Sequence, residues 1–207
     1  DNRQTLRGAT ETGRVLGMAD ARAGPLSAAE VAAFHRDGFV VAKGFFSEEA
    51  VTSARQGLTA LLDIRVAEIE SENPGTVPLA KDAPFPTRFL DIFGDLAKKD
   101  PARVPLAFRP ELHREEFQPL LFYPKLLDAV QQLLPPSVTE LRLFPNYTAR
   151  PKLPDFSPHS VAWHQDAGLD HRGAPNSAPE AERLQAFGPN AMVNVWTGFV
   201  PVTRKEG

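Results

Sequence analysis

Trp163-His164-Gln165-Asp166 sets an imidazole and a carboxylate two residues apart, at the end of a run, Ser160-Val161-Ala162, that reads as a short strand. In a strand residues i and i+2 share a face, so His164 and Asp166 project together while Gln165 points away. An imidazole and a carboxylate on one face are two of the three ligands of a 2-His-1-carboxylate triad, which holds ferrous iron and leaves positions open for substrate and oxygen. The chain has no cysteine. Thiolate ligands, cysteine nucleophiles and disulfides are therefore excluded together, and a transition metal must be held by His, Asp or Glu. The spacing alone is a weak signal, because a His-x-Asp is expected about 0.3 times by chance in a chain of this composition. The residues by themselves leave two readings open. One is a metal pair; the other is a hydrogen-bonded core His164 beside a turn residue, Asp166, that bonds its own backbone near Gly168.

The remaining histidines are weaker candidates. His35-Arg36-Asp37 repeats the spacing, but it falls near the end of an expected helix, where residues two apart point about 200° from each other. That pair is expected to face solvent. His171 lies in a polar loop rich in Gly, Pro and Asn, and His159 follows Pro158 on a different face, so neither is expected as a ligand. His113, in His-Arg-Glu-Glu, is expected on a solvated helical face.

The elements that must position the pair follow from local signals. Ser27-Ala-Ala-Glu30 fits a capping box and opens a helix that runs to Asp37, with Gly38 suited to its left-handed C-cap. Residues 39–46, FVVAKGFF, are β-branched and aromatic and read as a strand. Ser47 with Glu48 and Glu49 opens a second helix, on which Val51, Ala54, Leu58, Leu61 and Leu62 recur at helical spacing, and Asn73-Pro74-Gly75 closes it. Eight prolines between 73 and 119 predict a largely irregular segment, a candidate substrate cover or packed surface loop. Pro124 suits the first turn of a third helix with Leu126, Leu127, Val130, Leu133 and Leu134 on its apolar side, stopped by Pro135-Pro136. Strand-like stretches then dominate: TELRLFPNYTAR, SVAWHQD and AMVNVWTGFVPV. Helices first and strands afterwards predict an α+β domain with helices outside a sheet or barrel.

Bulk properties narrow the partners. The 207 residues carry a net charge of −3, and no block of Lys or Arg gives the footprint of nucleic-acid or membrane-surface binding. A small-molecule substrate is expected, with no nucleic acid and no membrane; oligomeric state is not written in the sequence. Nothing has the length of an apolar membrane span or the layout of a signal peptide, so a soluble, cytoplasmic protein is expected. Residues 1–25 read as a flexible N-terminal arm and 26–207 as one domain.

Three stretches, LSAAEVAAFHRDGFVVAKGFFSEEAV, WHQD and VNVWTGFVPVTRKEG, resemble the phytanoyl-CoA dioxygenase-like enzymes. The resemblance covers roughly residues 26–207 and implies a double-stranded β-helix (jelly-roll, cupin-like) barrel with flanking N-terminal helices. It also implies Fe(II), 2-oxoglutarate as co-substrate, and O2. In that family oxygen is inserted into an unactivated C–H bond while 2-oxoglutarate is released as succinate and CO2. Carried over by position, His164 and Asp166 would be the iron ligands, Trp196 would line the 2-oxoglutarate pocket, and Asn146 and Thr148 would face the co-substrate. Arg109, Arg150 and Lys152 lie near basic positions of the family without aligning to them. Asp166 implies hydroxylation, because halogenating relatives carry Gly or Ala there. The loop 167–190, with Asp170, His171 and Arg172, would frame the substrate entrance.

The chain departs from the family pattern in one respect. No histidine follows His171, whereas the family's distal His and its 2-oxoglutarate-binding Arg follow the turn found here at Thr203–Gly207. The jelly-roll domain is therefore expected to be incomplete at its C-terminal end, with the third ligand further along a longer chain. The alternatives are a non-catalytic jelly-roll binding module without a complete triad, and a cupin-like metal enzyme that does not use 2-oxoglutarate.

Overall fold

A computed structural model describes residues 23–109, 112–136, 138–143, 147–162 and 192–202. The described part is a helical layer of five α-helices: α1 (Ala28–Asp37), α2 (Glu48–Glu72), α3 (Phe85–Lys99), α4 (Gln118–Leu121) and α5 (Pro124–Leu133). Short 3-10 turns stand at Pro101–Arg103, Glu115–Phe117 and Ser157–His159. No helix among the described residues is long and apolar enough to cross a membrane.

The N-terminal helices form as their local signals dictate. Around Ser27 the capping box is complete: its hydroxyl accepts from Glu30 N at 3.3 Å, and the Glu30 carboxylate accepts from Ser27 N at 2.8 Å. That backbone bond holds the Glu30 carboxyl below its ordinary range. Gly38 closes α1 with φ of +82° and donates its N–H to Phe34 O at 2.8 Å. On α2, Ser47 caps Ala50 N at 3.2 Å, and Ala50, Ala54, Gly57, Leu61, Leu62, Val66 and Ile69 form one buried stripe. Past its end the chain turns back, because the Glu70 carboxylate accepts from Gly75 N at 2.7 Å and Val77 N at 2.8 Å.

The proline-rich segment is not regular throughout, as its prolines predict, yet it is not one long irregular connection either. It contains α3, whose Ile92 and Phe93 are the most deeply buried large side chains among the described residues. The physical reason is placement. Pro84 precedes the helix and Pro86 lies in its first turn, where a missing N–H has no intrahelical partner to lose, and no proline interrupts the chain again until Pro101. The buried face of this helix belongs to the main core, so its middle is not a free cover.

Two apolar clusters organise the layer. The larger gathers α2, α3 and the 104–120 region around Leu61, Val66, Ile92, Phe93, Phe108 and Phe117. The smaller joins α1 to α5 through Leu26, Val31, Ala129 and Leu133. Gln132 completes the second: its amide accepts from Leu26 N at 3.0 Å and donates to Leu26 O at 2.8 Å, so a buried side chain satisfies both groups of one peptide position. The expected apolar side of α5 is correct for Leu133 and Leu134, which are buried, whereas Leu127 is exposed.

No strand ladder occurs among the described residues; an isolated antiparallel bridge joins Phe108 and Ala149, with N–H···O distances of 2.9 and 3.0 Å in the two directions. Of the expected strand at 39–46, residues 39–42 show the alternation of one, whereas 43–44 form a turn in which Gly44 has φ of +59°. Val40 and Ala42 pack on the smaller cluster, while Phe39 and Val41 are exposed. Of the other predicted strands, residues 144–146, 163–166 and 191 lie outside the described residues, whereas 139–143, 147–150, 160–162 and 192–202 are described and form no ladder beyond that bridge.

Gly57 marks a close approach of α2 to the turn at Glu115–Phe117. A Cβ built there would stand 2.9 Å from both Phe117 Cζ and Glu116 Cβ, and Ser53 Oγ donates to Glu116 O at 2.8 Å to hold the same contact. Gly→Ala inside a helix ordinarily stabilises by up to about 1 kcal/mol. Here overpacking outweighs that gain, and Gly57→Ala is expected to lose about 1–2 kcal/mol, read as a lower urea midpoint at unchanged slope.

Candidate metal site and its surroundings

His164, Asp166 and Asn146 lie outside the described residues, as do Asp170, His171 and Arg172. The structure instead fixes the residues that flank this region in the chain, and it places His35, His113 and His159. His35 is exposed at the end of α1, beside an Arg36–Asp37 ion pair at 2.6 Å. His113 is exposed with its ring 5.1 Å from that of Tyr147; it sits outside any helix, correcting the expected helical face while keeping the solvated setting.

His159 is 6% exposed and both ring nitrogens are committed. Nδ1 accepts from Leu153 N at 3.0 Å, and Nε2 faces Pro105 O at 3.1 Å. An amide N–H only donates and a proline carbonyl only accepts, so the ring is the neutral tautomer with its proton on Nε2. Burial pushes its pKa below the ordinary value; the bond to Pro105 opposes this and the Lys152 charge adds to it. Lys152 donates to the His159 carbonyl. The Phe156 ring meets the imidazole edge-on at 4.7 Å. His159 therefore ties the 105 region and Leu153 to the turn from which residues 160–162 depart. Among the described residues no three His, Asp or Glu side chains could hold a metal ion.

Two of the candidate co-substrate residues are described. Thr148 is half-buried between Tyr147 and Ala149, both of which pack on the larger cluster. Tyr147 donates its hydroxyl to Leu112 O at 3.3 Å, and burial raises its pKa. Trp196 is 77% exposed. Its segment is anchored on either side: Val193 packs on the smaller cluster, Phe199 on the larger, and Arg55 Nε of α2 donates to Phe199 O at 2.9 Å. Half-buried Thr197 and Phe199 alternate with exposed Trp196, Gly198 and Val200, so the indole stands on the side away from the helices.

Sequence reasoning passed over Arg88, Gln132 and the clamp made by His159. A helical projection of α3 carries the signal for the first, since Arg88 falls on the stripe with Ile92 and Leu96, where a charge demands a partner. Nothing local marks the other two, whose partners lie far along the chain or in irregular backbone.

The family model described as Phytanoyl-CoA dioxygenase (PhyH) matches residues 34–207. The chain belongs to the phytanoyl-CoA dioxygenase family. The match takes in α1 from Phe34, all of the helical layer after it and the His-x-Asp motif. Phytanoyl-CoA dioxygenase family members are oxygenases that generally use Fe(II) and 2-oxoglutarate. Comparison with the curated proteins and with the solved structures gave no match.

The donor set available to this family member suits that metal. His164 and Asp166 are nitrogen and oxygen donors in a chain without thiolates, the ligand types of ferrous oxygenase sites. The three described histidines are placed at a helix end, against a tyrosine ring and inside a backbone clamp; His164 and His171 lie outside the described residues.

Proposed function

We propose that this chain is a non-haem Fe(II)- and 2-oxoglutarate-dependent dioxygenase that hydroxylates an unactivated C–H bond of a small metabolite. The observation that carries the reading is the His164-x-Asp166 motif inside the family match. The fold that goes with it is a jelly-roll barrel with the helical layer against one side. Three features support that arrangement. Val40 and Ala42 face the helices while Phe39 and Val41 do not; Tyr147 and Ala149 face them while Thr148 lies between; and Trp196 stands away from Arg55 and Phe199. Alternation of this kind puts Thr148 and Trp196 on the side where a sheet lying on the helices would present its second face.

In this reading His164 and Asp166 hold the iron, and Asn146, Thr148 and Trp196 hold the co-substrate. The metal, when bound with 2-oxoglutarate and O2, supplies the oxidising power for C–H cleavage. The protein's share is positional. The Phe108–Ala149 bridge fixes the backbone just after Thr148, and the Arg55–Phe199 bond fixes the segment bearing Trp196.

The test is anaerobic addition of Fe(II) and 2-oxoglutarate to the full-length protein. A weak metal-to-ligand charge-transfer band is expected, His164→Ala should abolish it, and admission of O2 should yield succinate. Metal binding without the band or succinate would turn the assignment to a cupin-like metal enzyme. No metal binding would turn it to a non-catalytic binding module.

A further inference from the structure

Arg88 is 3% exposed. A guanidinium carries five N–H donors and no acceptor, and the protein answers only part of that demand. Nε donates to Ala80 O at 3.1 Å and Nη2 donates to the Asp63 carboxylate; the other N–H groups meet no acceptor among the described residues. Unanswered donors on a buried charge are costly. Arg88 lines a cleft of about 490 Å³ between α2, the 79–81 segment and α3, a volume in the range of small-molecule sites.

The rest of the lining has the same bias. Lys81 is exposed and makes no ion pair or hydrogen bond with any described residue, and the half-buried Thr59 hydroxyl is likewise unused. Asp63 offsets one of the two cations, leaving a net positive charge. Val66 gives the cleft an apolar wall, and Leu79, 53% exposed, gives it an apolar lip. The backbone between Leu79 and Lys81 is held in an unusual state: Ala80 has φ of +43°, disfavoured for a residue with a Cβ, and its carbonyl accepts from both Arg88 Nε and Ala83 N.

We propose that this cleft binds a small organic carboxylate with an apolar tail, its carboxylate against Arg88 and Lys81 and its tail along Val66 and Leu79. A planar carboxylate matches the guanidinium fork, and a single negative charge matches the single charge left by Asp63. The site is built wholly from the helical layer and stands whether or not His164 and Asp166 hold iron.

The probe is hexanoate, titrated calorimetrically into the full-length protein in a buffer free of other carboxylates, with hexanol, hexylamine and inorganic phosphate as comparisons. Saturable hexanoate binding is expected, with neither hexanol nor hexylamine competing. Lys81→Glu, at an exposed position, should weaken hexanoate about tenfold with an unchanged circular-dichroism spectrum. Leu79→Ser should weaken hexanoate but leave acetate unaffected. Absence of saturable binding, equal binding by Lys81→Glu, or phosphate binding more tightly than hexanoate would each overturn the assignment.

Discussion

Replacing His159 by phenylalanine is expected to lower the stability of the chain at pH 7.5 by about 3 kcal/mol, although the new ring is apolar and of similar size. The imidazole satisfies two backbone groups at once, Leu153 N–H and the Pro105 carbonyl, and it does so at a position 6% exposed. A phenyl ring answers neither, and each unsatisfied buried group costs about 1–3 kcal/mol. Glutamine, with one acceptor and one donor at its tip, should recover part of the loss. The deficit should also depend on pH with a definite sign. In the folded state the pKa of His159 is depressed by burial, so the unfolded chain binds the proton first. Stability from the neutral clamp is fully present above the unfolded value of about 6.5 and falls as pH drops from there through the folded value. Within that window the wild type loses up to about 1.4 kcal/mol per pH unit that the phenylalanine variant does not. Urea midpoints at pH 7.5 and 5.5 measure it: the gap between the two proteins should narrow at the lower pH. A gap that stays constant would remove the tautomer argument.

The same clamp shows what a sequence discloses and what it withholds. The caps of α1 and α2 and the proline start of α5 were legible because each depends on residues within one helical turn of each other: Ser27 with Glu30, Ser47 with Ala50, Pro124 at the first position. α3 shows only in where the prolines fall, with Pro84 and Pro86 at its start and Pro101 beyond its end, and not in their number. The strand signal of residues 39–46 is legible as β-branched and aromatic content, while the pairing that would make it a strand depends on partners elsewhere in the chain. For the candidate site, the spacing of His164 and Asp166 named a chemistry. The rival histidines are already weak candidates in the sequence; what it withholds is the use His159 is put to, because its partners are a carbonyl 54 residues away and an amide in an irregular turn.

Asp63→Ala is expected to cost more than Arg88→Met, although Arg88 is the more deeply buried partner. Removing the carboxylate leaves a guanidinium, whose side chain is 4% exposed, without its counter-charge, a loss of about 3 kcal/mol at the lower end for broken buried pairs because water reaches the Asp63 side. Removing the guanidinium instead leaves a carboxylate that is 51% exposed and can turn to water, and a carbonyl at Ala80 that still accepts from Ala83 N at 3.2 Å. Methionine fills much of the volume, so that loss should be about 1 kcal/mol. The double variant, having no charge to strand, should lie near Arg88→Met alone, giving a coupling of about 2–3 kcal/mol. Urea unfolding of the four proteins, in a buffer without carboxylates or phosphate that could stand in for Asp63, measures the cycle. If the two single variants lose equally and their effects add, Arg88 is not held by Asp63 in the way its burial demands, and the charge balance of the neighbouring cleft would have to be redrawn.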